Sequence, residues 1–272
     1  MKKIIEKYKK KIHKISNNTK TTTIIVYIVL RLLVILCMIL EFLRGDLNNA
    51  FLCLLSLVLL LMPFFLEKKL KIDLPDTLQI LIMLFIFAAE ILGEINNFYG
   101  IIPHWDTMLH TINGFLAAGV GFALFDLLNK NVESIKLSPL FLCIVSFCFS
   151  MTIGILWEFF EYNVDKHLNS DMQKDKIVDN IKSVKINELG DNVPIIINDI
   201  EETIIIHKNQ KGEIVETKIK DGYLDIGLND TMKDLGVNFI GAFIFSCFGY
   251  LYILNRDKYK FVKSFIPTKL KL

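Results

Sequence analysis

The chain has 272 residues, of which 53% are hydrophobic and 22% are charged, and its formal net charge is +2. Together with a mean hydropathy of +0.44, this hydrophobic fraction excludes an ordinary soluble globular domain. Lysines crowd both termini and are nearly absent from the apolar segments. The composition therefore predicts an integral membrane protein, with the lipid bilayer as its partner and no nucleic-acid partner.

The first 20 residues form a basic segment ahead of the first apolar run. Eight lysines are interspersed there with apolar residues at Ile4, Ile5, Tyr8, Ile12 and Ile15. Two structures fit this pattern: a short amphipathic helix on an anionic membrane face, or a solvated cytoplasmic tail over residues 1–21. No small-residue cleavage site follows the apolar run, so we expect a retained anchor and not a cleaved signal peptide.

Six apolar stretches follow, and each is long enough to cross about 30 Å of hydrocarbon as an α-helix. Five lie within residues 22–162 and one follows later, near 22–43, 47–66, 77–95, 106–128, 138–162 and 230–254. The fourth contains GFLAAGVG, whose small residues favour close helix packing. All five cysteines lie inside these stretches, so no disulfide framework is expected. The predicted fold class is an all-α polytopic membrane protein with six transmembrane helices.

Charged residues in the short connections predict the orientation of the chain. One side holds nineteen lysines and arginines, counting both terminal segments and two connections, whereas the two short connections on the other side hold only Arg44. The long segment 163–229 is left out of this count, because long loops translocate largely regardless of their charge. This positive-inside bias places both termini in the cytoplasm. We therefore expect a multi-pass protein of the cytoplasmic (inner) membrane, in which residues 255–272 form a second basic tail.

Residues 163–229, between the fifth and sixth apolar stretches, are predicted to be an extracytoplasmic soluble insertion. Its later part reads ETIIIHKNQKGEIVETKIKDGYLDIG, with two β-branched runs on either side of a polar NQKG turn. This pattern predicts a β-hairpin. The earlier part is polar and indicates no particular element. His207 is isolated within a strand pattern, and we expect it to be a surface residue.

Four of the predicted helices carry polar groups at what this topology makes the outer rim. Glu90 and Glu94 are four residues apart, as are Asp106 and His110, and this spacing puts each pair on one helix face. The carboxylates of the set are Glu90, Glu94, Asp106, Glu158, Glu161, Asp230 and Asp234, and Asn238 follows one turn after Asp234. Chance would scatter such groups between both membrane faces. We therefore expect a site on the outer side.

Seven carboxylates in a small, partly dry space cannot all ionise without compensation, because like charges repel and burial disfavours charge. A bound cation, shared protons or a cationic substrate group would each relieve them. Carboxylates with one imidazole suit Mg²⁺, Mn²⁺ or Ca²⁺, and Zn²⁺ is an alternative through His110 with His104.

Simpler explanations exist for several of these residues. Asp106 and Asp230 fit simple helix N-caps, and Asp76 is predicted to cap the third helix. Trp105 fits an interfacial aromatic belt as well as a substrate contact. Arg31, deep in the first helix, either pairs with a carboxylate or substrate or extends its side chain toward the inner surface.

Three segments at these positions resemble known membrane families. They read WDTMLHTINGF, GILWEFFEYNVD and DTMKDLGVNFIGA, and they resemble the bacterial YjdF-like inner-membrane proteins, a family of unknown function. More distantly they are similar to VanZ-like membrane proteins, whose motif positions are occupied here by Asp106, His110, Glu158, Glu161, Asp234, Asn238 and Gly241. Glu161 stands where that pattern has Gln, and Thr107 stands where Lys is usual. The VanZ-like resemblance implies a role in cell-envelope biology.

These observations lead to a hypothesis and two alternatives. In the first, Asp106, His110, Glu158, Glu161 and Asp234 hold a divalent cation or a water and act on a lipid or envelope-precursor head group, with a glutamate or His110 as general base. The substrate contacts would be Glu90, Glu94, Asn238 and Trp105. The second is a cation- or proton-coupled transporter that uses the same carboxylates, although no matching polar set is apparent at the inner ends. The third is an accessory protein that binds partners through residues 163–229.

Overall fold

The computed structural model describes residues 21–70, 72–131, 137–167 and 171–269. Within these ranges it contains six helices long and apolar enough to cross a membrane, at Thr21–Arg44, Leu47–Lys69, Asp76–Ile95, Trp105–Asn129, Pro139–His167 and Leu228–Leu254. Together with small β-sheets, they confirm the predicted fold class. The prediction for residues 1–20 lies outside the described residues.

The second and third spans are irregular, and the sequence did not reveal this. Helix α1 is Thr21–Arg44, but the second span is divided into α2 (Leu47–Leu59) and α3 (Met62–Leu70) by a turn at Leu60 and Leu61. Pro63 lies in the first turn of α3, where a missing backbone N–H is tolerated. Asp46 caps α2 by accepting a hydrogen bond of 3.0 Å from the Asn49 backbone N–H.

The third span begins as α4 (Asp76–Ile86) and continues as a π-helix over Phe87–Ile95. A π-helix closes i to i+5 hydrogen bonds, so this part of the span is not the regular α-helix that the apolar run predicted. Glu90 is half-buried and Glu94 is exposed. The N-cap prediction for Asp76 is also wrong, because Pro75 occupies the cap and Asp76 accepts a 2.9 Å hydrogen bond from the Thr23 hydroxyl.

The remaining spans are uninterrupted α-helices: α6 (Trp105–Asn131), α7 (Pro139–His167) and α8 (Leu228–Leu254), with the single turn α5 (Phe98–Ile101) before α6. Helices α6 and α8 touch backbone to backbone. A Cβ added at Gly114 would lie 2.1 Å from the Asn238 carbonyl oxygen, and one at Gly241 would lie 2.0 Å from that of Thr111. Only glycine permits this approach, which is the small-residue packing predicted for the fourth span.

Helix α7 is joined to α6 by two buried serines. Ser146 donates a 2.6 Å hydrogen bond to the Ala118 carbonyl, and Ser150 donates one of 2.7 Å to the Gly114 carbonyl. In lipid, which offers no hydrophobic driving force between helices, such bonds and close packing hold the bundle together.

The described part of the C-terminal segment packs on the bundle instead of extending as a solvated tail. A 3₁₀ helix covers Lys260–Phe265, and strand β8 (Thr268–Lys269) pairs antiparallel with β1 (Ile72–Asp73). Val262 and Ile266 are buried, and the ring of Phe265 contacts that of Phe115 at 5.4 Å. The lysines of this segment led to the prediction of a basic tail, but its apolar residues bind it to the bundle.

The chain divides into two compact units, one comprising residues 1–154 and 235–272, the other Ile155–Asp234. The second unit contains three antiparallel strand pairs. They are β2 (Lys176–Val178) with β7 (Tyr223–Asp225), β3 (Ile181–Ser183) with β4 (Ile195–Ile197), and β5 (Glu202–Lys208) with β6 (Ile214–Lys220). The pair β5–β6 is the predicted hairpin, and Gly212 supplies its turn with a φ of +81°. His207 is exposed, as predicted.

Candidate functional site

Asp106 and His110 form the first part of the site, in the first turns of α6. The Nε2 atom of His110 lies 3.3 Å from Asp106 Oδ1, and both residues are half-buried. Helix α6 begins at Trp105, so Asp106 lies inside the first turn and is not the N-cap that the simpler explanation required. The four-residue spacing thus brings this pair together as predicted.

Asn113 of α6 and Asn238 of α8 form a polar contact further along these helices. Asn238 is fully buried, and its Oδ1 accepts a 3.3 Å hydrogen bond from Asn113 Nδ2. Its own Nδ2 lies 3.5 Å from the sulfur of Met151, and a Cβ at Gly154 would approach that nitrogen to 2.8 Å. Asn238 therefore occupies a tight junction of three helices, and its role as a substrate contact stays a prediction.

The contact between α6 and α8 also fixes the level of Asp234. At the crossing, Gly114 lies against Asn238 and Gly241 lies against Thr111. Asp234 is seven residues before Gly241 on one unbroken helix, and Asp106 and His110 are eight and four residues before Gly114. At 1.5 Å per residue, two parallel helices then place Asp234 between the levels of Asp106 and His110.

Among the residues that the structure describes, these three form a group whose side chains could together hold a metal ion. Asp106, His110 and Asp234 each offer one ligand atom, and the three atoms all lie within 4.8 Å of one another. Within the described ranges, neither Glu158 nor Glu161 belongs to this group. Both glutamates are buried on α7, and Glu161 accepts a 2.7 Å hydrogen bond from the indole N–H of Trp157.

Lysines that the sequence reasoning did not consider compensate part of the acidic charge. Asp230 accepts a 3.0 Å hydrogen bond from the Lys174 backbone N–H and lies 3.2 Å from Lys176 Nζ. Lys233 Nζ lies 3.8 Å from Asp230 Oδ1 and 3.4 Å from Asp234 Oδ1. Lys233 stands between the two aspartates in the segment NDTMKD, so the signal was visible in the sequence. The crowding of seven carboxylates is therefore smaller than predicted.

Asp230 is not the N-cap of its helix either. Helix α8 begins at Leu228, and the backbone N–H of Asn229 is bonded to Asp225 Oδ2 at 2.8 Å. Asp225 thus accepts a backbone hydrogen bond from the first turn of α8, and Asp230 instead pairs with the lysines.

The predicted substrate contacts in the first unit are spread around the start of α6. Trp105 packs edge to face on Phe98, with ring centroids 5.0 Å apart. Its indole nitrogen is buried and has no hydrogen-bond partner among the described residues, and the same holds for the hydroxyl of Thr107. These two donors flank Asp106 in the sequence.

Comparison with known proteins gives a family but no activity. A protein from Thermotoga maritima, described as uncharacterized, is 26% identical over 106 residues, which cover 39% of this chain and 53% of that protein. The chain thus spans about half the length of this relative. No solved structure matches the chain.

The YjdF-like resemblance is consistent with a family match, whereas the VanZ-like resemblance is not shown by any match and stays a prediction. The matching family model is described as "Predicted membrane protein (DUF2238)" and covers residues 25–194, more than half of the chain. The chain therefore belongs to the DUF2238 family of membrane proteins.

Proposed function

We propose that this membrane protein binds a divalent cation through Asp106, His110 and Asp234, and that it uses the ion in a reaction on a lipid or envelope-precursor head group. The observation that carries the proposal is the convergence of their three ligand atoms within 4.8 Å. Two carboxylates and one imidazole are a ligand set found around Mg²⁺, Mn²⁺ and Zn²⁺. An ion held by three protein ligands would have a position open for water or substrate, as catalytic metals do.

Roles for the neighbouring residues follow from their chemistry. Glu158 and Glu161 are the proposed general bases, because a carboxylate could take a proton from a water if the bound cation held one. Glu90, Glu94 and Trp105 are the proposed substrate contacts. Asn238 supports α8 one turn beyond Asp234, so that Asp234 keeps its position. In the orientation that the charge bias predicts, the site faces outward and residues 163–229 are extracytoplasmic.

Chelation tests the metal directly. The purified protein should contain a divalent metal by element analysis, and EDTA should lower its melting temperature at neutral pH. A ligand that binds only the folded state at a hundredfold excess over its dissociation constant stabilises it by roughly 2.7 kcal/mol. Mg²⁺, Mn²⁺ or Zn²⁺ should restore the loss. Equal melting temperatures with and without EDTA, in protein free of metal, would refute the proposal.

Variants locate the response. Asp106→Asn and His110→Ala should reduce the effect of EDTA, because each removes a ligand. The matched control is Asp46→Asn, which makes the same exchange at the cap of α2, where Asn caps as well as Asp. The control should respond to EDTA like the unmodified protein, and an equal reduction in the control would show that the Asp106 result is not specific.

The orientation needs a separate test. Glu188 and Asp257 are exposed, one in the second unit and one after α8. In intact cells, a membrane-impermeant thiol reagent should label Glu188→Cys and spare Asp257→Cys. Labelling of Asp257→Cys alone would place the site on the cytoplasmic side.

A second candidate function, cation- or proton-coupled transport, gains support from polar residues at the opposite end of the bundle. Glu67 accepts hydrogen bonds of 2.9 Å from the Leu74 backbone N–H and from Gln79 Nε2, and Gln79 is buried. Asp126 lies 3.2 Å from Arg256. These are two separate contacts, so the prediction that no matching set of carboxylates lies at the inner ends stays a prediction. A transporter would respond to pH and to ion gradients but little to EDTA.

A further inference from the structure

Arg31 is a charged residue in the middle of an otherwise apolar helix. Helix α1 is the most hydrophobic span, with a mean hydropathy of 2.9. Arg31 is half-buried, and its neighbours along the chain face outward, Leu32 being 61% exposed and Ile28 50%. A guanidinium in this setting is costly unless it finds a polar partner, and intramembrane arginines usually mark a functional contact.

Tyr27 is the protein partner of Arg31. The guanidinium donates a hydrogen bond to the Tyr27 hydroxyl and lies 5.3 Å from the centre of its ring. In the part of the chain that the structure describes, Arg31 forms no ion pair with a carboxylate. Glu41, on the same helix, lies 2.7 Å from Arg44. One phenol oxygen leaves most of the five N–H donors of an arginine to other acceptors.

The depth of the guanidinium decides which acceptor is available. Helical Cβ bonds point toward the N-terminus, so the Arg31 head group lies at the level of Tyr27. Tyr27 is three residues beyond Ile24, where the apolar run begins, or about 4–5 Å along the axis. The head group of Arg31 is therefore near the edge of the hydrocarbon, within reach of the phosphate layer of that leaflet.

The surroundings at this end of α1 are basic. The ring of Tyr27 packs edge to face on Phe64 of α3 at 5.1 Å, which places α3 beside the N-terminal half of α1. Lys68 and Lys69 lie in the last turn of α3, one turn beyond Phe64. Clustered cations at a membrane surface attract anionic lipids.

We propose that Arg31 and Tyr27 bind the phosphate group of an anionic phospholipid on the lipid-facing side of α1. The arginine donates to the phosphate oxygens, and the Tyr27 hydroxyl, which accepts from Arg31, has its own hydrogen free to donate to the same group. The lipid approaches laterally, with its acyl chains along the exposed side chains of Ile28 and Leu32. This site is independent of the proposed metal group on α6 and α8.

Lipid retention tests the proposal. The full-length protein, delipidated in detergent, is offered equal amounts of phosphatidylglycerol and phosphatidylcholine, and bound lipid is counted by native mass spectrometry. The unmodified protein should retain phosphatidylglycerol at least fivefold over phosphatidylcholine. Arg31→Gln should remove that preference, and Arg31→Lys should keep part of it. Arg44→Gln is the control, since Arg44 is paired with Glu41 at the other end of α1, and it should keep the full preference.

Two results would overturn the proposal. One is an undiminished preference for phosphatidylglycerol in Arg31→Gln. The other is an equal rise in melting temperature with inorganic phosphate and with phosphatidylglycerol, which would show a site for free phosphate and not for lipid. If Arg31→Gln does not fold, the unmodified protein and Arg31→Lys decide, and the absence of any preference between the two lipids in the unmodified protein refutes the site.

Discussion

Within each of the two units, different physical interactions stabilise the fold. In the membrane unit, α6 and α8 meet through Gly114 and Gly241, where an added Cβ would lie about 2 Å from a backbone oxygen of the other helix. In the second unit, the strands pair only two by two, and isoleucines such as Ile206 and Ile214 are 67% and 73% exposed. The first unit depends on atomic fit, and the second depends on local backbone hydrogen bonds.

The difference follows from the solvent of each unit. Lipid tails are as apolar as the helix surfaces, so helices associate through close packing and hydrogen bonds. Where two backbones touch, one added carbon atom on a glycine prevents this packing. Two-stranded ribbons gain little from burial and are marginal on their own. We therefore expect substitutions in the membrane unit to have large effects and changes within the ribbons to have small ones.

The largest expected effect comes from one methyl group. Gly241→Ala places a Cβ against the Thr111 carbonyl, and we expect a loss of about 3–4 kcal/mol or failure to fold. Gly236→Ala, on the same helix, meets nothing within 4 Å and should be neutral or slightly stabilising. Thermal unfolding in detergent compares the two. Similar melting temperatures for both variants would disprove the close crossing.

A smaller loss should follow from removing one buried side chain of the C-terminal segment. Ile266 is 4% exposed, and Ile266→Ala should cost about 2–3 kcal/mol of stability. Phe261 is in the same segment but 51% exposed, so Phe261→Ala should change stability by less than about 1 kcal/mol. Equal effects, measured by thermal unfolding, would mean that the segment is a solvated tail after all.

Excision of the ribbons should leave the membrane unit nearly unchanged. The pair β2–β7 closes the segment, because Val178 is opposite Tyr223. Replacing residues 180–220 by a short Gly/Ser linker keeps this pair, and the protein should still insert and remain monodisperse in detergent. Aggregation of the shortened protein would show that the ribbons belong to the core fold.

The smallest expected effect concerns Asp175. Burial first, and then the charges of Asp171, Asp165 and Asp225, raise the pKa of Asp175 above its ordinary value. The folded state then binds the proton more tightly than the unfolded state, so the ionised carboxylate destabilises the fold at neutral pH.

Asp175→Asn should therefore stabilise the protein at pH 7, by no more than about 0.5 kcal/mol because the residue is exposed. The gain should shrink as the pH falls through about 4 and vanish at about pH 3, where the carboxyl is protonated in both the folded and the unfolded state. Glu188→Gln, an exposed neighbour in the same unit, is the control for melting curves across this pH range. An advantage of Asp175→Asn that persists at low pH would exclude charge repulsion as its cause.

Long apolar runs and strand alternation made most of the fold predictable. Length and hydropathy were enough to predict the six spans. Two β-branched runs on either side of NQKG were enough to predict the β5–β6 hairpin. The π-helix over Phe87–Ile95 was not predictable, because an apolar run looks the same with either hydrogen-bond pattern. Strands of three residues, such as β2 and β3, are too short to show a period.

The candidate site was predictable in part. Helix spacing joined Asp106 to His110, and topology placed Asp234 at a similar depth. The sequence could not select these three from five candidates, because that choice depends on which helix faces meet, and those are set by the Gly114 and Gly241 contacts. The compensation of Asp230 by Lys176 depends on a strand that the sequence did not reveal.

The pairing of β1 with β8 has a consequence for the timing of biosynthesis. Thr268 pairs with Asp73, so the ribosome must add about 200 residues after β1 before its partner exists. At 5–20 residues per second, that interval lasts roughly 10–40 s. During that time β8 cannot yet pair with β1, so Ile72 and Leu74, which are buried in the finished fold, lack this strand. A newly made chain is therefore open to membrane chaperones and proteases at this edge until synthesis is nearly finished.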